Sequence, residues 1–146
     1  MAITFWAVST LTACGGGEIS QARRTLYVSA EALHQIDIAT ARRYQTAAEF
    51  ELEHATTREQ YDRMMRPWNT VETLLRGTHF ALVSTETALD LYEQTGRKLP
   101  FYQQLGCLAV KFEELLDAYK RATGDVPQAL TQTVALLNTF EGECAR

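Results

Sequence analysis

Three cysteines, three histidines and two Glu-x-x-His motifs are the side chains of this chain best suited to chemistry. Glu31 to His34 and Glu51 to His54 each put a carboxylate and an imidazole on one helical face, the spacing with which helical bundles hold paired metal ions. Such a centre needs its motifs on two converging helices. Here both fall in one unbroken helical pattern, about twenty residues and so ~30 Å apart, and the facing helix offers no glutamate at a core position. The reading expects no metal, no cofactor and partly exposed histidines. His79 has Glu72 and Glu86 seven residues to either side and reads as a surface residue rather than a general base. Gly15-Gly16-Gly17 lacks the Lys-Ser/Thr and the strand-to-helix setting of a phosphate loop. No nucleophile stands in a pattern with a base, so no enzyme is expected. Arg23-Arg24 and Arg42-Arg43 read as solvated basic pairs.

The elements that carry these residues are helical. From Glu18 to Pro67 there is no glycine or proline, and apolar or small residues recur at three- and four-residue steps: Ile19, Ala22, Leu26, Ser29, Leu33, Ile36, Thr40, Ala47 and Phe50, with Arg43 as the charged interruption. A stripe this narrow predicts a long helix packed against a partner along its length. Thr56 to Glu59 or Thr57 to Gln60 can form a capping box, which starts a second helix. Its seam runs Tyr61, Met64, Trp68, Val71, Leu75, Thr78, Leu82, Thr85, Leu89 and Tyr92 in heptad steps. Pro67 inside that seam predicts a kink at Met64 to Arg66, or a break with Pro67 opening a new helix. Met64, Met65 and Trp68 read as core more readily than as an adaptable contact patch. Two helices near residues 18–55 and 58–94 thus pair antiparallel. After the connector Thr95 to Pro100, a third helix from Phe101 to about Ala122 presents Leu105, Leu108, Phe112, Leu115 or Leu116, and Tyr119 on one face. A fourth, after Gly124 and Pro127, buries Leu130, Val134 and Leu137. The expected fold is all-α: a long antiparallel helical hairpin packed with a shorter helical hairpin, a four-helix bundle over residues 18–141 with a tail at 142–146.

Ahead of the bundle, residues 2 to 13 (AITFWAVSTLTA) are uncharged and largely apolar, and they stop at Cys14 and the three glycines. Residues 1–13 have the shape of a secretory leader. Leu11-Thr12-Ala13-Cys14 resembles the cleavage box of bacterial lipoproteins: a branched apolar residue, two small residues, then cysteine. The chain resembles small helical lipoproteins of bacteria and bacteriophages. It departs from them in having no Lys or Arg before Arg23 and a short leader; a start codon placed too late would explain both. The resemblance implies cleavage after Ala13 and fatty acylation of Cys14, with residues 14–17 as lipidated cysteine and glycine tether. It also implies a cell-envelope address, and Gly15 in place of Asp after the cysteine is similar to members sorted to the outer membrane. Several acyl chains on one cysteine anchor stably, where a single chain is marginal.

Setting Cys14 aside leaves an even pair, Cys107 and Cys144. If helices three and four fold back between Gly124 and Asp125, the residue level with Cys107 lies near position 142. A disulfide then suits an oxidising compartment, and two buried reduced thiols suit the cytosol; no zinc spacing is present. One domain of 146 residues with 46% hydrophobic content can bury a core, and a net charge of −4 without basic blocks gives nucleic acid no footprint. The expected function is a non-enzymatic, membrane-anchored helical lipoprotein that presents an interaction surface to a protein partner, with homo-oligomerisation left open. The alternative is a non-lipidated structural or interaction protein, of the cytosol or a virion, using residues 1–17 as an assembly arm.

Overall fold

The computed structural model describes residues 13–140 and Cys144. Four helices follow one another: α1 Ala13–His54, α2 Arg58–Thr95, α3 Lys98–Thr123 and α4 Gln128–Leu137. Each is antiparallel to the one before. α1 packs on α2, α2 on α3, α3 on α4 and α4 back on α1. The all-α four-helix bundle expected from the seam pattern is the fold.

The turns follow local chemistry. Thr57 caps α2, its Oγ1 accepting from the Gln60 amide at 3.2 Å, while the Gln60 side chain reaches back to the Thr56 amide at 3.2 Å. Gly96 and Gly124 end α2 and α3 in the left-handed conformation, at φ 70° and 75°, which glycine adopts without a Cβ clash. Both glycines therefore act as helix stops.

Pro67 does not break α2, which runs as one helix from Arg58 to Thr95. The long hairpin covers the missing hydrogen bond's cost, ~3 kcal/mol in an isolated helix, because tertiary packing along the seam outweighs it. Within the seam, Val71, Leu75, Thr78, Leu82, Thr85, Leu89 and Tyr92 are all buried. At its start the expectation fails: Met65 is buried, whereas Met64 is exposed and Tyr61 and Trp68 are half-buried. The cause is the length of α3. Thr78 Oγ1 lies 3.4 Å from the Lys111 carbonyl and Thr85 Oγ1 lies 3.2 Å from that of Gln104, a register that brings the end of α3 level with about residue 66 of α2. Beyond it only α1 covers α2, and the buried side turns toward α1.

α1 shows the same limit. Ala22, Leu26, Ser29, Leu33, Ile36 and Thr40 are buried, Ala47 is half-buried and Phe50 is exposed. Arg43, the charged interruption, sits where the α3–α4 loop arrives. Its guanidinium donates to Asp125 at 2.9 Å and lies 5.9 Å from the centre of the Tyr119 ring. The core itself is completed by Phe101, Phe112, Leu105, Leu108, Leu115, Leu130 and Leu137, each 1% exposed or less. Among the described residues, no helix is long and apolar enough to cross a membrane.

Candidate functional site

The candidate residues gather at three places, while the histidine motifs stay apart. Of the cleavage box, Leu11 and Thr12 lie outside the described residues. Ala13 and Cys14 open α1, which continues through Gly15 to Gly17; the stretch assigned to a tether has helical backbone here. Each glycine costs a helix roughly 1 kcal/mol relative to alanine, so this is the weakest end of α1.

Glu18 stabilises the next turn. Its carboxylate accepts from Lys98 Nζ at 2.7 Å, from the Tyr92 hydroxyl at 3.2 Å and from the Tyr102 hydroxyl. Three donors from α2 and α3 thus converge on one acidic side chain of α1. The hydrogen bonds from Lys98 and Tyr102 hold the Glu18 carboxyl below the usual carboxylate range. Burial first, then the bond to Glu18, pushes the Tyr102 hydroxyl up to about 12. Lys98 is raised by the same contact with Glu18. Phe140, Thr139, Glu18, Lys98 and Tyr102 line a shallow cleft beside this cluster. Sequence reading passed over Glu18 as a helix start; the i,i+4 pair Lys98 and Tyr102 was its only visible signal.

Cys107 and Cys144 are joined as a disulfide across a separation of 37 residues, with their Cα atoms 4.4 Å apart. The pairing is the one that cysteine arithmetic and the fold-back of α3 on α4 anticipated. After Leu137 the backbone leaves the helix as a turn, and the bond fastens the chain at Cys144 to α3.

The histidine motifs do not come together. Both lie on α1, and His34, His54 and His79 are exposed. Glu31 accepts from Gln35, while His54 stacks on Phe50 with ring centres 4.1 Å apart and its Nδ1 lies 2.7 Å from the Phe50 carbonyl. Among the described residues, no group of three or more His, Cys, Asp or Glu side chains is arranged to hold a metal ion. The third place is apolar. Phe50, Leu52 and Met64 are exposed near the α1–α2 turn, and Phe80, Val83 and Leu91 are exposed along α2.

Comparison with protein-family models, with curated proteins and with solved structures found no match for this chain.

Proposed function

We propose that this chain is a non-enzymatic helical lipoprotein of the cell envelope, anchored through acylated Cys14 and presenting the surface of its bundle to a protein partner. The observation that carries the reading is the fate of the cysteines. Cys107 and Cys144 are bonded to each other, a state that persists in oxidising compartments and is rare in the cytosol. The remaining cysteine stands directly after Leu11-Thr12-Ala13. An export signal and an exported protein's bond in one chain support each other. The geometry suits a tethered body: the Glu18 cluster pins the anchored end, and the α1–α2 turn lies the length of α1 away, roughly 60 Å for its 42 residues. Exposed apolar side chains on a bundle whose chemistry-bearing residues are scattered favour binding over catalysis.

The test is metabolic labelling with a fatty acid in a bacterial host, followed by membrane fractionation. The wild type is expected to carry label and sediment with membranes; Cys14→Ser is expected to lose both. Label on neither protein favours the second reading, a non-lipidated protein using residues 1–17 as an assembly arm. The helical backbone of α1 from Ala13 through Gly17 speaks for that reading.

A further inference from the structure

The outer face of α2 carries a second stripe in heptad steps, opposite the one that fills the core: Thr73, Gly77, Phe80, Ser84, Thr87 and Leu91. No charged residue interrupts it over five turns. Phe80 is 76% exposed, and Leu91 and the adjacent Val83 are 46% and 56% exposed. Gly77 is the telling member. A glycine inside a helix is unfavourable relative to alanine, and a Cβ built on Gly77 would meet nothing within 4 Å. Packing within the chain therefore gives no reason for its absence, whereas close approach of another helix does.

We propose that this face binds a second copy of the chain, with the two α2 helices antiparallel about a two-fold axis level with residue 82. The stripe is complementary to itself in that register. Phe80 meets Ser84 of the other copy, Gly77 meets Thr87 and Thr73 meets Leu91, so that a large side chain opposes a small one at each end and at the centre. The charges agree. The register sets Arg76 between Glu86 and Asp90 of the other copy, and all three lie on the α1-facing side of the stripe, the sides that such an axis brings together. Arg76 is 79% exposed and, among the described residues, its one ion pair is with Glu72 of its own helix. Asp90 is already held by Arg23 of α1 at 2.9 Å, and Arg23 lines the notch between α1 and α2 with Glu86 and Tyr27; Glu86 makes no ion pair among the described residues and is the carboxylate left for the guanidinium of the other copy. An isologous contact of this kind closes as a dimer. The inference rests on the reading of this protein as one that presents an interaction surface and names the partner; it is independent of the lipid.

Analytical ultracentrifugation of the full chain, in detergent where acylated, tests it. The wild type is expected at twice the mass of its own chain, which is 16.4 kDa for the uncleaved 146 residues. Phe80→Asp and Gly77→Leu are expected to sediment as monomers with undiminished helix content, because both positions face outward. Arg76→Glu and Glu86→Arg are each expected to weaken the dimer by about tenfold or more, and the double swap to recover most of that loss. A wild type that stays monomeric at millimolar concentration overturns the proposal. So does a Gly77→Leu protein that dimerises normally, or a double swap no tighter than its parents, the result expected of a parallel pair. Fatty-acid labelling of the same variants is expected to be unchanged, so loss of the dimer and loss of the anchor register separately.

Discussion

Removing the disulfide with Cys107→Ala and Cys144→Ala together has a magnitude set by the length of chain it encloses. The bond closes a loop across a separation of 37 residues, which contains the rest of α3, the loop at Gly124 and all of α4. Constraining such a loop in the unfolded state is worth about 3.8 kcal/mol at 25 °C on the chain-entropy model. Both cysteines are only half-buried, so alanine leaves little cavity and the entropic part dominates. α4 has ten residues, too few to hold helix alone, and its docking depends on both ends being fixed. Urea unfolding of the oxidised wild type and of the double variant at one pH is expected to differ by about 3–4 kcal/mol, or roughly 10–15 °C in Tm. The variant is also expected to show a larger m value, since its unfolded chain opens further. Wild type under reducing conditions should coincide with the variant. A gap below about 1 kcal/mol, with equal m values, contradicts the view that the bond staples the fourth helix.

Three further substitutions probe other parts of the bundle. Glu18→Gln keeps the shape but removes the charge that three donors share, and is expected to cost about 1–2 kcal/mol near neutral pH. The sign with pH is fixed by the lowered Glu18 pKa: the contribution is full above the ordinary carboxylate range and fades as acid titrates the folded protein, so wild type and variant should converge at low pH in acid-titrated denaturation curves. Phe112→Ala, at a side chain with no exposure, is expected to lose about 3–5 kcal/mol by urea unfolding. Thr40→Val should stabilise by about 1 kcal/mol in the same assay, because Thr40 Oγ1 is buried without a hydrogen-bond partner among the described residues.

Periodicity made most of the fold legible. The run Val71 to Tyr92 is the buried seam of α2, and the α1 stripe holds from Ala22 to Thr40, because along those stretches each helix is covered for many turns. Where cover ends, the pattern misleads. Met64 and Phe50 continue a seam that, among the described residues, no neighbouring helix buries, since the sequence reports which face could be buried and not how far the neighbouring helix reaches. Pro67 was legible as a local cost but not as one the long hairpin absorbs. Thr78 and Thr85 sit in the seam without penalty because each hydroxyl donates to its own preceding turn, 2.7 Å from the Leu74 and Ala81 carbonyls. The Glu18 cluster draws on three helices, so no local window contained it. Cys107 and Cys144 were readable as a pair, since few cysteines and a two-helix fold-back leave few partners.

The intact mass of the mature protein, purified from the membrane fraction of a bacterial host, is the most direct check on the envelope reading. A chain that begins at Cys14 and is heavier than its sequence by the mass of thioether-linked and amide-linked acyl groups is the expected result. A chain that still begins at Met1, with Cys14 unmodified, contradicts it.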